Sequence, residues 1–554
     1  MIEYLIATVV AYVGWCMVCL ELNYRRASSM GIPLIRVPVD YLNVPFQVIE
    51  PHIFTIIDLL PASIVKRLPT FVPYMRRGWF FHAKANPHVR YGPAFALVTP
   101  RTIWMQVCDS EAVHEIFTRR SDFLRPQENY KLLEVYGPCV ASTDLKDWPR
   151  HRKALAAPFN ESIMKFVWSE SLSQAKQMVA SWTTSTAAAD GIISVAQDTR
   201  ILSLNVLAAT GFRRSFDFKS SSGVAASLDT ASSYRDALAT VLDNIIVLVL
   251  LPRRFLSHPL VPKSLQRVGK AADDFQHHME QMLEEEMTAF EQGTQGAGSL
   301  MTSFVRAANT HETKTDGSQI QGLSIEEVYG NMFLVNFAGH DTTANTFAFS
   351  ILLLATSPKV QDWLAEEICV VTPDTEDWDY SQLFPKLLRC RAVLLETLRL
   401  FPPILSLPRH TNTEPQRLQI GDRTIVVPAN TNTYPNVVAI QTHPQYWPDP
   451  LEWKPDRWVT TESGEEVLIT PPRDTFLPWS DGPQNCPGIK FAQVEFVAVL
   501  ALIMCRHRLR IQRELGETEE QARTRVHKVL NDCDSQLLLR IRDATQVRLI
   551  CEAR

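Results

Sequence analysis

FLPWSDGPQNCPGIKFAQVE, residues Phe476 to Glu495, is the stretch from which the rest of the chain is best approached. A loop rich in proline and glycine delivers one cysteine, Cys486, just ahead of an apolar run that begins near Gly488. A lone cysteine ordinarily packs as a small buried apolar group. The setting here differs, because a thiolate is stabilised by backbone N–H donors and by the positive end of a helix dipole, and both occur where a turn enters a helix. Gly482 and Gly488 carry no Cβ and leave room for a flat group to approach the sulfur. These features predict an ionised, metal-binding Cys486.

Working outward, three more segments pair residues at helical spacing. Ala392 to Pro403 (AVLLETLRLFPP) sets Glu396 and Arg399 three apart on one face, and Trp453 to Trp458 (WKPDRW) supplies Arg457. On a solvent-facing helix such a pair would add only about 0.2–0.5 kcal/mol. Asn336 to Thr346 (NFAGHDTTANT) lies within a long apolar-periodic helix that Ser324 and Glu327 open as a capping box. Gly339 weakens that helix and the Thr342 hydroxyl can bond back to the i−4 carbonyl, so a local distortion opening a groove is expected there. In DLKDWPRHRKAL, Trp148 and Arg152 stand one turn apart and face the same way.

Trp479, Gly482, Cys486 and Gly488 resemble the cysteine-loop signature of the cytochrome P450 family, aromatic-x-x-Gly-x-x-x-Cys-x-Gly. The family usually has phenylalanine where Trp479 stands, and a basic residue where Gln484 stands. The other segments resemble the family's remaining motifs in the family's order, from position 148 onward. By that resemblance Cys486 is the axial ligand of haem b, held also by Trp148, Arg152, Arg409, Trp479, Gly482 and Gly488. With Gln484 in place of a base, Arg152 and Arg409 carry more of the propionate binding. Asp341 and Thr342 become the acid and alcohol that relay protons during oxygen activation, while Glu396, Arg399 and Arg457 form a buried structural ion network. The resemblance implies a mainly α fold with small β-sheets, the cytochrome P450 fold, as one large domain. It also implies oxidation of an apolar small molecule with O2 and electrons from NADPH through a separate NADPH–cytochrome P450 reductase. The wording around the cysteine is most similar to fungal microsomal members of secondary metabolism, acting on terpenoids or polyketides. Haem-thiolate enzymes that rearrange peroxides or dehydrate, and haem-thiolate ligand sensors, are the competing readings. Family members of the first kind tend to lose the acid–alcohol pair.

Bulk properties agree with a cofactor enzyme of ordinary globular composition. The 554 residues are 46% hydrophobic and 21% charged, with 55 basic against 60 acidic side chains. A net charge of −5 gives no field that gathers nucleic acid. Ten cysteines without regular spacing point to reduced thiols rather than a disulfide framework. Tyr4 to Leu20 is free of charge and followed by Arg25 and Arg26, which favours an uncleaved membrane anchor over a cleaved signal peptide and leaves the catalytic domain cytosolic. A single-pass protein of the endoplasmic reticulum membrane is expected, with an anchor over 4–20, a proline-rich collar or linker over 21–75 and the haem domain over 76–554.

Several smaller expectations complete the reading. Ile245 to Leu251 (IIVLVLL) reads as a buried helix, with a second membrane contact as the alternative. Gly293 to Gly298 and His311 to Gly322 read as polar, mobile loops. The distal cavity is expected from Leu132 to Val140, Ala237 to Leu251 and Ile404 to Leu407. His114-Glu115 lacks a second histidine at Thr118, and Asp374, Asp377 and Asp379 lack the remainder of an EF-hand. With no P-loop or G-x-G-x-x-G, the chain offers no recognisable seat for NADPH or flavin.

Overall fold

The computed structural model describes residues 2–184, 190–218, 230–292, 300–308, 311–313, 319–372, 378–535 and 537–554. The expected loop at Gly293 to Gly298 lies outside them, as do Asp374 and Asp377. The helices that build the site, in chain order, are α1 (Ile2–Ser28), α2 (Val44–Asp58), α3 (Ser110–Thr118), α4 (Trp148–Ala156), α5 (Glu161–Trp182) and α6 (Val195–Phe212). They continue with α7 (Thr230–Asp243), α8 (Ile245–Leu250), α9 (Lys263–Glu291), α10 (Ile325–Thr356), α11 (Leu388–Leu400) and α12 (Ile489–Arg506). Among the described residues, five two-stranded ribbons and one six-stranded sheet accompany the helices, so the chain is mainly α with small sheets.

α10 runs through the middle because its sequence is apolar nearly all round, the pattern of a helix surrounded by protein. Ser324 and Glu327 close the expected capping box at its start. Against it lie α6 and α12, and Phe347 stacks on Phe496 with ring centroids 4.8 Å apart. Fully burying a side chain of that size stabilises by about 1.5–3 kcal/mol. α10 continues through Gly339 without a break, so the distortion expected there does not interrupt the helix. Thr342 does donate to the Ala338 carbonyl at 2.9 Å, but the glycine is used for packing: a Cβ there would lie 3.1 Å from a Leu207 methyl on α6. The missing side chain admits a neighbour.

The six-stranded sheet comprises β1 (Leu34–Arg36), β2 (Ala94–Val98), β3 (Ile103–Val107), β4 (Phe123–Leu124), β5 (Arg409–Thr411) and β6 (Asn432–Pro435). Its order is β1-β2-β3-β6-β5-β4, with β2 and β3 buried on both faces. β1 and α2 fall inside the 21–75 stretch, so part of the expected collar is woven into the sheet. α1 outruns the charge-free segment because Glu21 is paired to both Arg25 and Arg36, and Leu20 and Ala27 bury against the sheet. Its Ile6–Ser28 portion is long and apolar enough to cross a membrane.

Two loop and core expectations are revised. α8 is amphipathic: Ile245 and Leu248 are buried while Ile246, Val249 and Leu250 are exposed, so the expected buried helix presents half its surface outward. Within His311 to Gly322, His311–Thr313 pairs with Gln319–Gln321 as an antiparallel ribbon where a loop is expected.

Candidate active site

Cys486 sits two residues before Gly488, the N-cap of α12. The loop is closed by its own backbone: Cys486 N–H donates to the Trp479 carbonyl at 2.9 Å, and Asn485 N–H to that of Gly482 at 3.2 Å. Gly482 has φ +68, and a Cβ there would stand 2.9 Å from the Phe117 carbonyl of α3, so only glycine lets the loop seat on that helix. The Trp479 ring meets Phe476 edge-on at 6.2 Å. Burial raises the Cys486 thiol above its ordinary value, against the opposing pull of the Gly488 N–H and the Arg152 charge. With no metal at the sulfur, desolvation outweighs the helix end. A metal cation at the sulfur would reverse the balance.

Three guanidinium groups converge near this loop. Arg152 on α4 donates to the Asn485 carbonyl at 2.7 Å and to its side-chain oxygen at 2.8 Å, and Trp148 is buried one turn earlier. Arg409 on β5 is 3% exposed, and burial together with the Arg125 charge pushes it down to about 10. Arg125 donates to the Gln484 carbonyl at 2.8 Å, and its Nε is buried without a hydrogen-bond partner. None of the three is in an ion pair among the described residues. Sequence reasoning missed Arg125, which sits in no motif. Only the register finds it: Phe123 pairs with Thr411 and Leu124 with His410, which brings the next residue, Arg125, opposite Arg409. A cysteine at a helix start beside one buried and two half-buried guanidinium groups without carboxylate partners fits a metal-bearing macrocycle with two carboxylates.

On α10, Asp341 accepts from Arg200 Nε of α6 at 2.8 Å. It borders a pocket of about 100 Å³ lined also by Arg235, Asp236, Asp243 and Arg540. Thr342 is the adjacent residue, partly exposed. A separate cavity of about 480 Å³ is walled by Phe46 of α2, Trp79, Phe80, Leu132, Tyr434 and Ile245 to Val247. Leu132 and the 243–247 stretch belong to the segments expected to line the substrate space, whereas Ile404 to Leu407 are not part of this wall. Tyr41, Phe46 and Trp79 of the proline-rich stretch and its continuation were not anticipated, because aromatic residues among prolines carry no periodicity that assigns them to a wall.

Glu396 and Arg399 are wholly buried and joined by two hydrogen bonds, at 2.8 and 2.9 Å. Arg457 reaches the same carboxylate at 3.0 Å, as do the Trp458 indole at 2.9 Å and the Lys454 N–H at 2.8 Å. Backbone carbonyls of Gln441, Pro450 and Glu452 take the remaining Arg399 donors. The one carboxylate is shared by two guanidinium groups, and backbone carbonyls take the donors it leaves, so no charged group is left without polar partners, the condition under which a buried ion pair is tolerated.

The family model described as "Cytochrome P450" matches residues 69–531. The chain belongs to that family. This P450 is similar over most of its length to fungal enzymes named as monooxygenases. It is 26% identical to a cytochrome P450 monooxygenase of Arthrobotrys oligospora, covering 96% of this chain and 95% of the relative. It is 28% identical to the phomenoic acid biosynthesis cluster cytochrome P450 monooxygenase of Leptosphaeria maculans, over 90% of each chain. A cytochrome P450 monooxygenase of Postia placenta is 32% identical, over 77% of this chain and 80% of the relative. The family implies haem-thiolate chemistry, a redox partner and a small-molecule substrate, and the residues around Cys486 fit that cofactor.

Proposed function

We propose that this P450 is a membrane-anchored monooxygenase that oxidises an apolar small molecule of fungal secondary metabolism, a terpenoid or polyketide. Electrons would come from NADPH through a separate NADPH–cytochrome P450 reductase, with the catalytic domain on the cytosolic face of the endoplasmic reticulum. The observation that carries the reading is Cys486 at the start of α12, beside three guanidinium groups without carboxylate partners. The naming of the Leptosphaeria relative for a biosynthetic cluster supports the metabolic context.

Haem, when bound, supplies the oxygen activation and the oxidation itself. The chain's own contributions follow from placement. Cys486 ligates the iron, and the Gly488 N–H holds its sulfur. Arg125, Arg152 and Arg409 bind the two propionates, with the Trp148 indole beside them and the glycines keeping the face open. Asp341, paired to Arg200 at the rim of the charged pocket, passes protons from that pocket to the Thr342 hydroxyl. The aromatic wall of the larger cavity excludes water and receives the substrate. α2 and α8 both contribute to that wall, and their exposed Val48, Ile49, Ile246 and Val249 suit a lipid surface and a substrate arriving from it. Retention of Asp341 beside Thr342 supports monooxygenation over rearrangement, dehydration or sensing.

Co-expression with a reductase in a host that supplies terpenoids and polyketides, followed by mass spectrometry, tests the proposal. A product heavier by one oxygen, dependent on NADPH, is the expected result. NADPH consumption that never exceeds background across apolar substrates would favour the sensor instead.

A further inference from the structure

Three side chains beside the cysteine loop take no part in the reading above. His114 lies midway along α3, Asp474 just before Phe476, and Asp481 inside the loop itself. His114 Nδ1 stands 2.9 Å from Asp474 Oδ2 and 3.5 Å from Asp481 Oδ2, and the three atoms all lie within 4.8 Å of one another. The Asp474 side chain is only 3% exposed, yet neither its Oδ2 nor His114 Nδ1 has a hydrogen-bond partner among the described residues. The two atoms are in close contact without an aligned hydrogen bond between them. Ligand atoms about 2.0–2.1 Å from one tetrahedral metal ion are separated by roughly 3.3–3.4 Å, between the 2.9 and 3.5 Å at which the two carboxylates stand from His114.

Charge argues the same way. Asp474 is pushed up to about 6 by burial and then by the neighbouring Asp481. Arg473 is 3.8 Å from Asp474 Oδ2, but its side chain is 77% exposed and solvent screens it. One imidazole and two carboxylates form a donor set for a borderline first-row dication, with open positions for water.

From this geometry we infer that His114, Asp474 and Asp481 form a divalent-cation site of the Mn2+ or Zn2+ type. The ion would tie α3 to the chain on both sides of Phe476. It would reinforce the contact Gly482 makes with the Phe117 carbonyl of the same helix, fixing the loop that presents Cys486. The role is structural and the site is separate from the sulfur.

The test uses the full-length chain expressed with haem supply, stripped with EDTA and titrated with Mn2+ while the free ion is followed by electron paramagnetic resonance. One ion bound per chain and displaced by Zn2+ is the expected result. Asp481→Asn and His114→Gln should each weaken binding by at least ~10-fold. Saturating Mn2+ should raise the unfolding temperature of the parent and leave both variants unmoved. Asp481→Asn keeps the shape of a side chain that is 40% exposed, so it remains decisive should His114→Gln fail to fold. An ion held equally well by parent and Asp481→Asn, or no ion held by the parent, overturns the inference.

Discussion

Arg125, just after β4, lies opposite Arg409 on β5; burial and the Arg125 charge lower the proton affinity of Arg409, while burial and the Arg152 charge lower that of Arg125. Such a pair is costly unless an anion joins it. Arg125→Ala is therefore expected to weaken haem retention. Loss of a charge-assisted hydrogen bond of about 1.5–3 kcal/mol corresponds to roughly 10–100-fold faster haem transfer to an apo-acceptor protein. Equal transfer rates for parent and variant would remove Arg125 from the site. Thr342 belongs to the same scale. Its hydroxyl already has a partner in the Ala338 carbonyl, so Thr342→Ala should fold normally. The proposed proton relay predicts an unchanged carbon monoxide spectrum and a smaller fraction of NADPH converted to product; unchanged coupling would exclude Thr342 from the relay.

Two elements bury carboxyl groups in opposite ways. Glu396 is compensated on every side, and removing its charge strands Arg399 and Arg457. Glu396→Gln should lower stability by about 3–5 kcal/mol, read by thermal or denaturant unfolding. Glu495 on α12 is wholly buried, with neither carboxylate oxygen hydrogen-bonded in the described residues. Burial lifts it from 4.5 to about 8. The folded chain then holds a proton that the unfolded chain releases. This contribution to stability is fully present below the unfolded value and is lost as pH rises toward 8. Glu495→Gln should flatten that part of the profile and stabilise at pH 7 by on the order of 3 kcal/mol. An unaltered slope would show that Glu495 is ionised in the fold.

Across the whole molecule, the parts legible in the sequence are those whose chemistry is local. Cys486 with its glycines, the Ser324–Glu327 box and the i,i+3 pair of Glu396 and Arg399 are each set by spacing along one segment. Arg125 was hidden because strand register alone brings it to Arg409, and the 21–75 stretch because proline-broken apolar patches do not say which surface they will cover. α8 reads ambiguously for a related reason: six apolar residues cannot announce that one face packs on protein and the other faces outward. The exposed faces of α2 and α8 lead to a further expectation. With residues 1–28 removed, the chain should still partition onto vesicles, and Ile246→Asp with Val249→Asp should abolish that partitioning; release by truncation alone would leave α1 as the sole membrane contact. The account as a whole rests on the bond between Cys486 and iron. Its most direct test is the absorption spectrum of the reduced, carbon monoxide-treated chain after haem-replete expression. The strongly red-shifted Soret band of thiolate ligation, lost in Cys486→Ala, is the predicted result; a colourless chain, or the spectrum of an imidazole-ligated haem, would contradict it.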